Sequence, residues 1–507
     1  PPVCANMPLS MGDFRELIDL ASEQLGGAAI FATDEFFAEK ENLLKASEPV
    51  WKEHEYTDRG KWMDGWESRR KRTPGHDYSI IRLGLPGVLH GVVVNTSFFR
   101  GNYPDSCSIE ATYAAADADI TTLLAPSTEW IEVLAKSHLA GDRENPFRID
   151  HQFAFTHLRF NIYPDGGVAR LRVHGKVIPD WRRNGGMERE LDLAAVENGG
   201  DVLSCSDMFF GRRQNMIMPG RALNMSDGWE TKRRRGDGHD WAIVQLGAEG
   251  SLRRLEIDTN HFKGNYPDTA SVEGCVAEHS RDLDRADWME LLPRMKLQAH
   301  TRHWFSEQLL TSGPFTHLRL NVYPDGGVSR FRAHGTPTEH AIGQAVARRL
   351  STLPRVGDEL RACCGSSEWV RRMEEARPFQ SWDKLVEAAN EIWWSLTPAD
   401  WQEAFRSHPR IGSTAGTAEK STSPWSASEQ SRAMAADRTV LDRLDVVNLA
   451  YEERFGNVFI ICASGKPADE ILAEAERRMK NAPDEELREA AEEQRRITHL
   501  RLKKLVR

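Results

Sequence analysis

The most constraining feature of this chain is that it contains itself twice. Residues 156–167 read THLRFNIYPDGG and residues 316–327 read THLRLNVYPDGG. GNYPD at 101–105 returns at 264–268, and DGWE at 64–67 returns at 227–230. A period of about 160 residues is too long for a solenoid repeat and has the length of a whole domain. The last third of the chain, from about residue 340, carries no copy of these motifs. With 507 residues there is room for about three domains of ~150 residues.

Inside the repeats the pattern is that of short strands. DYSIIRLGLPG and DWAIVQLGAEG alternate and close on turn formers. THLRFNIYPDGGVARLRVHG reads as two strands joined through PDGG, with Leu158, Phe160 and Ile162 on one face and Arg159 and Asn161 on the other. Many short strands with Gly/Pro turns imply a β-sandwich. The expected organisation is an amphipathic helix within 1–26, a first sandwich over 27–180, a polar linker over 181–200, a second sandwich over 201–337 and an all-α domain over 338–507. One insertion distinguishes the copies: Asp34 to Asp64 spans ten residues more than Asp207 to Asp227. It falls near HEYTDRGK and is expected to extend a surface loop.

Composition excludes some functions. The net charge of −10 argues against a general nucleic-acid or anionic-membrane binder. No stretch approaches the about 18 apolar residues of a membrane span. The seven cysteines include no CxxC pair and fit neither a zinc site nor a disulfide framework. A reducing, cytoplasmic compartment is the expectation. No His/Cys cluster has metal-ligand spacing, so no cofactor is expected, although a metal assembled from distant loops stays open.

Polar residues shared by both copies include Asp64/Asp227, Glu67/Glu230, Arg70/Arg233, His76/His239, Arg159/Arg319 and Asn161/Asn321. Each is more readily explained by folding than by chemistry. The differences are more pointed. NTSFFRGN at 95–102 aligns with DTNHFKGN at 258–265, so only the second copy has Asp258, His261 and Lys263, where the first has Asn95, Phe98 and Arg100. Strand alternation would put Asp258 with Asn260 and His261 with Thr259. His261 is a candidate general acid or base.

The KWMDGWESRRKR segment, the NTSFFRGN/DTNHFKGN pair and the doubled THLRxNxYPDGGVxRxRxHG closely resemble the allantoicase family over about residues 12–336. The resemblance implies two jelly-roll (galactose-binding-like) repeats that hydrolyse allantoate to ureidoglycolate and urea. That chemistry needs a cation for the carboxylate, a base for water and a proton for the departing nitrogen. Arg233, Arg332, Arg70, Arg170 and Arg330 are candidates for the first task. Asp227, Glu230, Asp258 and His261 are candidates for the others, with Lys263 beside them.

In the last third, SHPRIGST at 407–414 interrupts a helical pattern, and Pro409 forces His408 out of helical geometry. Ser426-x-x-Glu429 reads first as a helix capping box. FGNVFIICASGK at 455–466 reads as a buried element with a turn. Together with ITHLRLKKLV at the last helix these segments resemble the OHCU decarboxylase family, which acts on 2-oxo-4-hydroxy-4-carboxy-5-ureidoimidazoline and yields (S)-allantoin. The resemblance implies His408 and Glu429 as the catalytic pair and Arg501 as a basic partner. It also implies Pro409, Ser426, Gln430, Ile460 and Ile461 as the pocket; HPRIG departs from the family's usual HPDL-type sequence, and Arg410 is expected to contact solvent only.

The expected whole is a bifunctional ureide enzyme acting on allantoate and OHCU. It is expected to be a homo-oligomer, with other ureide-pathway enzymes as further partners. The alternative is a pair of non-catalytic jelly-roll ligand-binding modules with a helical oligomerisation domain.

Overall fold

The computed structural model describes residues 13–410, Trp425 and 438–507. They fall into two compact units. One runs up to Ala341 with Thr352–Pro354, and the other holds Ile342–Ser351 with Arg355–Arg507.

Each copy in the first unit is an eight-stranded antiparallel assembly with the same strand order. Its spine is one 19-residue strand, Asp77–Asn95 in the first copy and Asp240–Asp258 in the second. The first part of Asp77–Asn95 pairs with Ala154–Tyr163 and with Ala28–Ala32. The second part pairs with Arg170–Val177 and with Glu144–Arg148. The change of partners falls at Leu83–Gly84–Leu85–Pro86, where the spine passes from one layer of a sandwich to the other. Ile80, Val92, Leu158, Phe160, Ile162 and Val173 are fully buried between the layers, the outcome that alternation along each strand dictates.

The expected hairpin through PDGG is therefore not formed. The strands on either side of PDGG do not pair with each other; both pair with the spine, which lies between them. The glycines serve another purpose. Gly166 and Gly326 have φ of +138° and +136°. A Cβ at Gly166 would lie 2.7 Å from Asn102 O and from Pro104 N. The PDGG turn thus lies directly on the GNYPD loop, and Gly167 N donates to Asn102 O at 2.8 Å.

The helix expected over residues 12–25 is also absent. Residues Phe14–Glu16 and Glu23–Leu25 are 3-10 turns, and Ile18–Asp19 is an edge strand on Gly175 and His174. Asp19 explains this: its carboxylate accepts from Ala21 N and Val173 N, a local bonding pattern that competes with a helix. Part of the expected linker does the same for the second copy. Leu191–Asp192 pairs with Gly335 and His334, and Asp192 accepts from Ala333 N. The second copy therefore begins before residue 201.

After the strand Arg330–Pro337, helices take over from Glu339. The last helix, Pro483–Lys503, is the longest of the described helices and packs on Gly357–Cys363, Trp382–Ser395 and Pro398–Arg406. Arg438–Phe455 packs against Ala468–Arg478 around Leu444, Tyr451, Ile461 and Ile471.

Candidate functional site

The motifs shared by the two copies mostly hold the fold. Asp64 meets Arg170 at 2.8 Å and Asp227 meets Arg330 at 3.0 Å, all four side chains buried. Arg330 also donates to Gly220 O and Asp227 O. Glu230 accepts from Asn265 Nδ2, and Glu67 from Asn102 Nδ2, which ties DGWE to GNYPD in both copies. Arg332 donates to Ile217 O and to Gly220 O at 3.0 Å and lies 3.4 Å from Asp192. Its first-copy counterpart Arg172 likewise meets Ser47 O and Asp19. Asp227, Glu230 and Arg332 were expected to touch substrate. The geometry engages all three in locks present in both copies. Arg233 and Lys263 are exposed.

A second doubled network lies along the sheet. His239 Nε2 is 3.2 Å from Asn321 Oδ1, Asn321 Nδ2 donates to Glu273, and Arg319 donates to Glu273 at 2.7 Å. His76, Asn161, Glu110 and Arg159 repeat these contacts in the first copy.

Only the second copy builds an acid–imidazole–cation group at the end of its spine. The strand stops at Asp258, and the next three residues turn. Alternation therefore does not continue: Asn260 N donates to Asp258 Oδ1 at 2.8 Å, and His261 adopts φ +69°. His261 Nε2 donates to Ala222 O at 2.9 Å, which leaves Nδ1 as the basic nitrogen. Its backbone N–H donates to His300 Nδ1 at 2.8 Å. Asp258 is buried, and its Oδ2 accepts no hydrogen bond among the described residues. Burial raises its carboxyl above the ordinary range, against the opposing pull of the Asn260 N–H and Arg221. Arg221, largely exposed, comes within 3.9 Å of Asp258. Beside it, Arg302 forms a two-pronged pair with Glu256 at 2.6 and 2.9 Å.

The first copy has none of this chemistry. Phe98 takes the place of His261 at φ +70°, and Asp142 takes the place of His300, accepting from Phe98 N at 2.8 Å. Ser47–Glu48 takes the place of Gly220–Arg221, as the parallel bonds from Arg170 and Arg330 show. Arg221 and His300 escaped the sequence reading. Both are charge differences between the copies, of the kind that singled out Asp258 and His261.

In the helical unit, helix Pro398–Arg406 ends one residue before Ser407, and His408 N donates to Phe405 O at 3.1 Å. Arg410 does not merely meet solvent: it forms a two-pronged pair with Glu452, both contacts 2.6 Å, which anchors the His408–Pro409 turn to helix Arg438–Phe455. Ile460 and Ile461 are buried in the irregular segment between helices Arg438–Phe455 and Ala468–Arg478. Arg478 Nη1 donates to Ile460 O at 2.8 Å, and Cys462 N donates to Glu493 at 2.8 Å. Arg501 is buried on the last helix. Ser426, Glu429 and Gln430 lie outside the described residues. Among the described residues no three His, Cys, Asp or Glu side chains are grouped to hold a metal, and no helix is long and apolar enough to cross a membrane.

Comparison with known proteins gives these sites a setting. The allantoicase repeat model matches residues 18–178 and 191–338, and the OHCU decarboxylase model matches 352–503. A probable allantoicase of Pseudomonas fluorescens (strain SBW25) is 50% identical over 326 residues, 64% of this chain and 97% of that protein. The crystal structure of allantoicase from Saccharomyces cerevisiae aligns at 35% identity and a TM-score of 0.54, over 63% of this chain and 93% of that one. A crystal structure of OHCU decarboxylase is 40% identical over 29% of this chain and 97% of that one, with a TM-score of 0.26. Two β-sandwich repeats joined to a helical decarboxylase-type domain define a bifunctional enzyme of ureide catabolism. The chain belongs to the allantoicase family and carries an OHCU decarboxylase domain at its C-terminal side.

Proposed function

We propose that the duplicated part hydrolyses allantoate to ureidoglycolate and urea at the end of the second copy's spine. The observation that carries this is the meeting of Asp258, His261 and Arg221 there, against Asn95, Phe98 and Glu48 in the first copy. Arg221 holds the substrate carboxylate, with Lys263 and Arg233 as further cations. His261 Nδ1 takes a proton from water as its oxygen attacks the central carbon. Asp258, whose carboxyl burial shifts toward the protonated form, gives a proton to the nitrogen of the departing urea. His300 holds His261 in place through the backbone.

The helical part decarboxylates OHCU to (S)-allantoin. The leaving CO₂ deposits its electrons toward an adjacent C=N bond, so the protein has only to orient the carboxylate, steady the anion and return one proton. His408 and Glu429 form the catalytic pair, and Arg501 holds the carbonyl-rich ring. Pro409, Ser426, Gln430, Ile460 and Ile461 line the pocket. No cofactor enters either scheme, and a cytoplasmic location beside other ureide enzymes fits both.

Asp258→Asn gives the second copy the first copy's residue and is the direct test. The full chain should lose urea release by 10²-fold or more and keep OHCU decay. Retained urea release would move the site to the doubled His–Asn–Glu–Arg network.

A further inference from the structure

The sheet face that ends at Asp258 is dense with ion pairs. Arg254, Glu256 and Asp258 alternate onto it, while Leu255 and Ile257 are buried on the core side. Arg302 joins from the strand Arg302–Phe305, and Arg330 and Arg332 join from Arg330–Pro337 on the other side. Each of these arginines meets an acid: Arg254 meets Glu190 at 3.0 Å, Arg302 meets Glu256 at 2.6 Å, Arg330 meets Asp227 at 3.0 Å and Arg332 meets Asp192 at 3.4 Å. Among the described residues Asp258 is left with only the 3.9 Å contact to Arg221.

Arg302 makes an unexpected choice of partner. In register it stands directly opposite Asp258, and Glu256 stands opposite Trp304. Directly opposed side chains start about 5 Å apart and diagonal ones about 7–8 Å. The guanidinium nevertheless passes its nearer neighbour and takes the diagonal one, with prongs of 2.6 and 2.9 Å, and lies 5.1 Å from the Trp304 ring. The Arg302 side chain is 41% exposed, whereas that of Arg330 is buried, so Arg302 has room to turn. In the first copy Val93, Asn95 and Glu144 stand where Glu256, Asp258 and Arg302 stand. The acid and the pair beside it are present together or absent together. The Arg330–Asp227 and Arg332–Asp192 pairs, by contrast, recur in the first copy as Arg170–Asp64 and Arg172–Asp19.

We propose that Glu256 is a positioning residue for urea release: it holds Arg302 away from Asp258, so that the Asp258 carboxyl stays open to substrate and able to give a proton. The inference rests on Asp258 as the acid of the proposed reaction. Without Glu256, the acid directly opposite the freed guanidinium is Asp258. An ion pair there stabilises the ionised carboxylate and withholds the proton that the departing nitrogen needs. Burial foremost, and the Glu256 charge with it, raise the Asp258 carboxyl, while the Asn260 N–H, Arg221 and Arg302 lower it. Arg330, held by Asp227, flanks Asp258 on the other strand, and His261 follows in the turn.

The test is kcat/KM for urea release from allantoate across pH, in the full-length protein and per folded fraction as judged by thermal melting. It compares wild type, Asp258→Asn, Glu256→Gln, Arg302→Gln and the Glu256→Gln/Arg302→Gln double variant. The ionisation that Asp258→Asn removes from the profile should move to lower pH in Glu256→Gln, by about 1–3 pH units, with a loss of roughly 10-fold or more at pH 7. In Arg302→Gln it should move to higher pH with the rate kept. The double variant should return to near the wild-type rate and profile. A Glu256→Gln enzyme with the wild-type rate and profile overturns the proposal. So does a double variant as slow as Glu256→Gln, which makes the pair a structural unit, or a rate loss in Arg302→Gln, which makes Arg302 a substrate contact. Arg302→Gln sits at a partly exposed position and carries the test alone if Glu256→Gln folds poorly. Full urea release by Asp258→Asn is a different failure: it removes the reading of the site, and this inference with it.

Discussion

His300 Nδ1 accepts the backbone N–H of His261 at 2.8 Å, and in the first copy the Asp142 carboxylate does the same for Phe98. One backbone geometry, a non-glycine residue at φ near +70°, is held by an imidazole in one copy and a carboxylate in the other. The turn itself is common property; its side chains are what differ, and on the proposed function they place the reaction in the second copy. His261→Ala should therefore reduce urea release by roughly 10²–10⁴-fold at unchanged folded fraction. Phe98→Ala should cost little activity. Equal losses from the two would place the site between the copies.

The buried pairs answer to stability instead. Removing one partner of a buried ion pair leaves a charge without compensation and costs about 3–5 kcal/mol. Asp227→Ala and Asp64→Ala should each lower the unfolding free energy measured by urea denaturation by an amount of that order, because each strands a buried arginine. At equal folded fraction, the Asp64→Ala enzyme should turn over allantoate at near the wild-type rate. A rate loss there with unchanged stability would make Asp64 a chemical residue.

The turn glycines separate two kinds of crowding. A Cβ at Gly326 would meet backbone, Pro267 N at 2.7 Å, whereas at Gly327 it would run into the Phe262 ring. Gly327→Ala should be partly rescued by Phe262→Leu. Gly326→Ala should not be, since it also carries φ +136°. Thermal unfolding of the four variants decides this.

Two buried histidines set an acid limit. His157 and His317 are held down to about 4, chiefly by burial, with Arg82 adding to the effect at His157. Both rings rest against the preceding threonine hydroxyl at 2.9 Å. Between about pH 6.5 and 4 the unfolded chain binds protons at these positions and the fold does not. Stability should therefore fall as pH falls through that window, with nothing further lost from these groups below it. His157→Gln should flatten the slope; an unchanged slope would assign the acid loss to other groups.

The doubled architecture was legible because DGWE, GNYPD and PDGG are the pieces that lock onto one another, and a lock tolerates little substitution. The copies' first strands were missed for the opposite reason. DLASEQLGG at 19–27 and DLAAVENGG at 192–200 are equivalent, but an edge strand and a 3-10 turn need only Asp19/Asp192, a buried Leu-Ala pair and the glycines. The remaining positions drifted, and in the first copy they mimic a helical period. The missing hairpin reflects a long-range choice: the spine, distant in sequence, inserts between strands that are neighbours in it. At the site, Asp258 and His261 stood on one segment and could be read together. Arg221 and His300 arrive from loops on either side, about forty residues away in each direction, and only folding brings them in.

The last prediction concerns the helical domain, where two explanations of Glu429 compete. As the third residue after Ser426 it suits a capping box, and losing a cap costs about 1 kcal/mol with no necessary effect on rate. As the acid–base partner of His408 it carries a proton, and losing that costs roughly 10²–10⁴-fold. Glu429→Gln separates the two, because glutamine can close the capping box but does not exchange a proton at neutral pH. His408→Asn is its companion. His408 follows the end of helix Pro398–Arg406, and its neighbour Arg410 is anchored on Glu452, so the turn should survive the change of side chain. Both variants should melt near wild type, lose most OHCU decay and retain urea release. If Glu429→Gln turns over OHCU at close to the wild-type rate, the carboxylate is a cap, and His408 with Arg501 carries the decarboxylation.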